Sequence, residues 1–122
     1  MKLNKRKVAF QGELGAYSEM AARSYFHETV GVSPQPTFTD LFERVTNGSC
    51  THGMVPIENT VMGSIHENYD LLLKNDLHIV GEIKLRIMHN LIVNPGVRLE
   101  DIRHIYSHPA ALAQCTKFTR SI

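Results

Sequence analysis

Three short stretches gather side chains that could bind or turn over a small polar molecule. The first is Gly12-Glu13-Leu14-Gly15, continuing into Ala16-Tyr17-Ser18. A glycine turn that opens a helix leaves free N–H groups and the positive end of the helix dipole facing outward, which suits a carboxylate or a phosphate. The stretch has neither the GxGxxG dinucleotide fingerprint nor the Lys and Ser/Thr of a P-loop. Two readings therefore stand side by side: an anion cradle, or a turn that lets helix and strand pack closely. Ser18 places a hydroxyl near the helix start, where plain capping would also account for it. The second stretch is Glu58-Asn59-Thr60 with Gly63-Ser64. An acid, an amide and a hydroxyl at the carboxyl end of a strand would face the ligand crevice of an open α/β sheet. The alternative is a turn followed by a cap at Ser64.

The third stretch is Ser107-His108-Pro109 with Gln114, seven positions after Ser107. If a helix opens at Pro109, residues seven apart lie on nearly one face, so Ser107 and Gln114 can address the same ligand. A serine hydrolase is disfavoured, because adjacent Ser and His seldom form the nucleophile–base hydrogen bond and no orienting acid accompanies them. No two of His27, His52, His66, His78, His89 and His104 stand at HxxxH or HxH spacing, and Cys50 and Cys115 form no CxxC. No metal site and no disulfide scaffold is expected, and both cysteines are read as reduced thiols.

The elements that must position these groups alternate. Val8-Ala9-Phe10 reads as a buried strand, and Tyr17, Met20, Ala21, Ser24 and Tyr25 recur at helical spacing behind the glycine turn. Thr37 with Asp40 forms a capping box ahead of Phe38, Leu41, Phe42 and Val45, and Asn47-Gly48 ends that helix. Met54-Val55-Pro56-Ile57 reads as a second buried strand, and Ser64 with Glu67 as a capping box for Ile65, Tyr69, Leu72 and Leu73. Strands alternating with helices point to a parallel α/β sheet. From Leu77 to Val93 the period changes to two, through Ile79, Ile83, Leu85, Ile87 and Leu91. Fully extended, that strand would span roughly 56 Å, against about 35 Å for a compact chain of this size, so a bend at Gly81 is expected. Asn94-Pro95-Gly96 is a turn, Ile102 to Tyr106 a strand and Ala110 to Phe118 a helix behind Pro109.

With 122 residues, 43% apolar and 20% charged, the chain has the composition of one globular domain or part of one. A net charge of +1 lacks the excess that draws proteins to nucleic acid or anionic membranes. The apolar runs fall far short of the ~20 residues that cross a bilayer. Residues 1–7 are a basic tip that meets Gln11 and Gly12 before any signal-peptide core can form, so a cytoplasmic protein is expected.

Taken together, Phe10-Gln11-Gly12-Glu13-Leu14-Gly15-Ala16-Tyr17-Ser18-Glu19, Val55-Pro56-Ile57-Glu58-Asn59-Thr60 with Gly63-Ser64, and Ser107-His108-Pro109 with Ala111-Leu112-Ala113-Gln114-Cys115 resemble the prephenate dehydratase family. Three motifs in order, spread from Val8 to Phe118, make the resemblance specific. It implies a cofactor-free lyase of phenylalanine biosynthesis that acts on prephenate, or on arogenate as in the related arogenate dehydratases. The implied fold is α/β and two-lobed, like type II periplasmic binding proteins, with the active site in the cleft. Residues 8–78 would form the first lobe, and 79–122 the crossover and part of the second. Glu58, Asn59, Ser107 and Gln114 would be catalytic; Thr60, Gly63, Ser64, His108, Gly12, Gly15, Ala16, Tyr17 and Ser18 would bind substrate.

The family's principal threonine lies in a later Thr-Arg-Phe motif. Thr119-Arg120-Ser121 lacks the Phe and directly follows the Ser-His-Pro helix. The expectation is thus an incomplete catalytic domain without that threonine or the phenylalanine-sensing ACT domain, with open strand edges in the second lobe and a homo-oligomeric state. A binding or sensing lobe for an aromatic acid, without turnover, is the alternative from another class, and a nonfunctional oligomeric remnant is the third.

Overall fold

The computed structural model describes residues 5–27, 29–60 and 63–122; the first four residues of the basic tip lie outside them. The chain divides into two compact units, Met1–Arg86 and Ile87–Ile122.

The first unit is built on strand β1 (Lys7–Gln11), whose Val8, Ala9 and Phe10 are fully buried. Such an unbroken apolar run is what a parallel strand covered on both faces requires. Helix α1 (Tyr17–Phe26) leads to strand β2 (Gly31–Gln35), and helix α2 (Phe38–Thr46) leads to strand β3 (His52–Gly53). Both strands pair parallel with β1 in the order β2-β1-β3, with Val8 opposite Val32 and His52. Successive strand residues face opposite sides. Val8 packs with Ala22 of α1 and with Val30, while Ala9 packs with Leu41 and Phe42 of α2 and with Cys50. The two helices therefore cover opposite faces. Burying Leu41 and Phe42 contributes about 1.5–3 kcal/mol each.

Local signals hold where they are self-contained. Thr37 Oγ1 accepts the Asp40 N–H at 3.1 Å and donates to Asp40 Oδ2 at 2.8 Å, and Asn47 ends α2 with its N–H on the Glu43 carbonyl. Other expectations are corrected. Met54–Ile57 is not a strand: the ladder stops at Gly53, with one further bond from Met54 N to Ala9 O, because Pro56 has no N–H to extend it. Ser64 does not cap a helix. It belongs to a two-stranded antiparallel ribbon of β4 (Glu58–Asn59) and β5 (Gly63–Ser64), and helix α3 (His66–Lys74) follows with Ile65 at its N-cap and no side-chain cap. Ser18 likewise lies inside α1, whose N-cap is Ala16.

Residues 77–93 form no ladder, since no strand among the described residues lies alongside to pair with them. Leu77 packs on the Leu41–Phe42 side of the core. Gly81 serves close approach, because a Cβ there would run into the Tyr25 ring. In the second unit Asn94–Val97 turns as expected, with Val97 N on the Asn94 carbonyl and Gly96 at φ 87°. A 3-10 turn occupies Leu99–Asp101, and Ile102–Tyr106 is irregular rather than a strand, so this unit presents no strand edge among the described residues. The single expected helix is two, α4 (Pro109–Gln114) and α5 (Thr116–Ser121), broken at Cys115.

Candidate active site

Because β1, β2 and β3 are parallel, their carboxyl ends share one edge of the sheet. The chain leaves β1 for β2 on one side and returns to β3 on the other, which makes the boundary between β1 and β3 a topological switch point, where open α/β sheets hold ligands. The Gly12–Ala16 turn departs from β1 at that edge. The run 54–57 departs from β3 there and delivers the Glu58 ribbon. Two of the three sequence motifs thus emerge from one edge of the first unit.

The glycine turn is tightly occupied by its own chain. Gly12 and Gly15 have φ of 121° and 91°, values that side chains with a Cβ rarely adopt. The Gly12 N–H donates to the Gln35 carbonyl at 2.9 Å, the Ala16 N–H to the Glu13 carbonyl at 3.1 Å, and the Gly15 N–H to Glu19 Oε1 at 2.8 Å. Glu19 Oε2 also pairs with Arg23 Nε at 3.0 Å. The Gly15 amide, and after it Arg23, hold the Glu19 carboxyl below its ordinary value. The anion at this helix start is the protein's own, so these three amides do not form an open cradle. Tyr17 is partly exposed and Ser18 half-buried on the first turn of α1.

Glu58, Asn59, Gly63 and Ser64 face each other across the ribbon, with Glu58 opposite Ser64 and Asn59 opposite Gly63; Thr60 is exposed at the turn. Glu58 Oε1 accepts the Tyr69 hydroxyl at 3.2 Å and the Ser64 hydroxyl at 3.4 Å. Desolvation first, and the Glu58 carboxylate second, raise the Tyr69 phenol above its ordinary value. Asn68, fully buried, donates Nδ2 to the Pro56 carbonyl at 2.8 Å, and the Ile65 N–H donates to the Ile57 carbonyl at 2.8 Å. The start of α3 therefore clamps the segment that presents Glu58. Sequence reasoning missed both side chains. Tyr69 fitted the apolar stripe of its helix, but Asn68, three residues after Ile65 and four before Leu72, is a polar residue within that stripe and was the available signal.

In the second unit, His108 is the N-cap of α4: its Nδ1 accepts the Ala110 N–H at 3.1 Å, with Pro109 at the first helical position. One ring nitrogen is thus engaged structurally. Ser107 is exposed just ahead of it. Gln114 closes α4, and its Oε1 lies 2.7 Å from His89 Nε2; with the oxygen as acceptor, the imidazole N–H donates. His89 carried no sequence signal beyond interrupting the period-2 pattern. Among the described residues no group of His, Cys, Asp and Glu could hold a metal ion, and no helix is long and apolar enough to cross a membrane.

The first unit is an α/β fold whose polar ribbon and glycine turn issue from the β1/β3 switch point, the place where open α/β sheets hold small ligands. The family profile of prephenate dehydratase matches residues 8–122, and the chain belongs to that family. It is 50% identical over 109 residues to arogenate dehydratase/prephenate dehydratase 2, chloroplastic, of Arabidopsis thaliana, covering 89% of this chain and 28% of the relative. It is equally 50% identical over 109 residues to arogenate dehydratase 2 of Petunia hybrida, covering 89% and 27%. Arogenate dehydratase 1 of Petunia hybrida is 46% identical over the same length, covering 89% of this chain and 26% of that protein. The chain spans little more than a quarter of the curated relatives it matches.

Proposed function

We propose that this chain carries part of a dehydratase active site, and that the polypeptide to which it belongs converts prephenate to phenylpyruvate, with arogenate as the alternative substrate. The observation that carries this reading is the Glu58–Ser64 ribbon leaving the carboxyl edge at the β1/β3 switch point, in a chain of the prephenate dehydratase family. Prephenate bears two carboxylates and a ring hydroxyl. Losing carbon dioxide and water together makes the ring aromatic, so the reaction needs orientation and an acid for the departing hydroxyl, and no electron sink.

Asn59 and Gln114 fix the ring and its hydroxyl through their side-chain amides, and Glu58 acts in the reaction through its carboxylate. Hydroxyls of Thr60 and Ser107 hold the retained carboxylate, a role the engaged amides of Gly12, Gly15 and Ala16 leave to side chains. Family resemblance alone assigns Ser107, His108 and Gln114 to the same reaction. The two-lobed architecture of type II periplasmic binding proteins, with residues 8–78 as first lobe and 79–122 as crossover and part of the second, belongs to this reading. So do a homo-oligomeric state and a cytoplasmic location.

The test is turnover of prephenate and of arogenate by the native polypeptide. Asn59→Ala and Gln114→Ala are each expected to lower kcat by about 100-fold or more. Unchanged turnover in either variant removes that residue's role, and tight binding of phenylpyruvate with no turnover by the wild type favours a sensing lobe instead.

A further inference from the structure

We infer that Tyr69 is a positioning residue for Glu58, committing one carboxylate oxygen to the protein so that the other is presented to the ligand; the inference rests on Glu58 belonging to the dehydratase site. Glu58 stands exposed on a ribbon of only two residues per strand, and an unrestrained glutamate there would sample many rotamers. Two hydroxyls converge on the same oxygen, Oε1. The Ser64 contact is at the outer limit of a hydrogen bond at 3.4 Å, whereas the Tyr69 contact at 3.2 Å comes from a rigid ring. A carboxylate only accepts, so the phenol must be the donor. Tyr69 also stands on firm support. Its helix is tied to the segment before Glu58 by the Asn68 side chain on Pro56 and by the Ile65 N–H on Ile57. A side chain locked by a regular element holds a reacting group better than a loop does. The raised phenol fits this contact.

Two measurements test it. The chain has four tyrosines, so alkaline absorbance titration follows all its phenols. One phenol is expected to ionise above the ordinary range, to vanish in Tyr69→Phe and to move down in Glu58→Gln. A high phenol that Glu58→Gln leaves in place, or no high phenol at all, overturns the contact. In the native polypeptide, Tyr69→Phe is expected to lower kcat for prephenate about tenfold with KM little changed, and to add nothing to the loss in Glu58→Gln, because residues acting as a unit are non-additive. The Phe variant keeps the ring, and a melting curve confirms its fold. Full turnover in Glu58→Gln would sink the dehydratase role of Glu58, and the inference with it. Reduced turnover in Glu58→Gln with full turnover in Tyr69→Phe, or losses that multiply in the double variant, would sink the positioning role alone.

Discussion

Glu19 closes the chain back on Gly15, taking its N–H at 2.8 Å on one oxygen while the other holds Arg23 at 3.0 Å. Both partners favour the ionised carboxylate, so its folded-state value lies below the ordinary 4.5. The stabilisation is complete above that ordinary value and is lost as pH falls through the lower, folded one. Glu19→Gln keeps a hydrogen-bonding side chain without the charge. It is expected to lower the melting midpoint at pH 7, with the gap from wild type closing as pH drops into the acid range. A gap that persists unchanged at low pH would show that the charge is not what matters.

The cap at Thr37 is local and exposed, and its loss should be correspondingly simple. Thr37→Ala removes the acceptor for the Asp40 N–H and is expected to cost about 1 kcal/mol in urea unfolding, with Thr37→Ser restoring most of it. Equal stability of the Ala variant would mean that water replaces the cap without cost.

Asn68 presents a different balance. Its Nδ2 satisfies the Pro56 carbonyl, while its own buried Oδ1 has no hydrogen-bond partner among the described residues. Asn68→Ala strands the carbonyl and is expected to destabilise by about 1–3 kcal/mol. Asn68→Asp should be worse near neutral pH, because it replaces the donor with a buried carboxylate. Chemical denaturation of the two variants side by side checks the order.

Gly53 packs the end of β3 under α2. A Cβ there would lie 2.8 Å from Leu41 Cδ2 and 3.3 Å from Val45 Cγ2. Gly53→Ala is expected to cost about 1–3 kcal/mol through overpacking. A neutral result in the same denaturation assay would show that both side chains shift freely.

What the sequence discloses follows the range of the forces involved. Helix α2 was legible because its cap, stripe and stop lie within a dozen residues, and β1 because three consecutive apolar residues have nowhere to go but the core. Strand β2 was not: Gly31 and Pro34 interrupt any strand pattern there, and its extended form comes from pairing with β1 rather than from its own residues. That omission hid the fate of the Gly12 amide, which the Gln35 carbonyl accepts. The alternation from Leu77 to Val93 is real, yet alternation supplies a face and a ladder needs a neighbour. Glu58, Asn59, Gly63 and Ser64 share one ribbon, a local pairing that nearly contiguous residues make legible. Tyr69 was assigned to the core because helical spacing reports where the ring points and says nothing of where its oxygen ends.

Strand β2 is also one edge of the three-stranded sheet, and Pro34 gives that flank a particular character. The Gly31 N–H bonds inward to the Arg6 carbonyl and the Gln35 carbonyl accepts inward from Gly12, so residues 31, 33 and 35 turn their amides toward β1, and residues 32 and 34 turn theirs away. Proline at 34 leaves Val32 as the sole outward donor of the strand. A foreign chain trying to zip itself onto this rim would find a rung missing, so the β2 edge is a poor seed for runaway stacking of one molecule on the next.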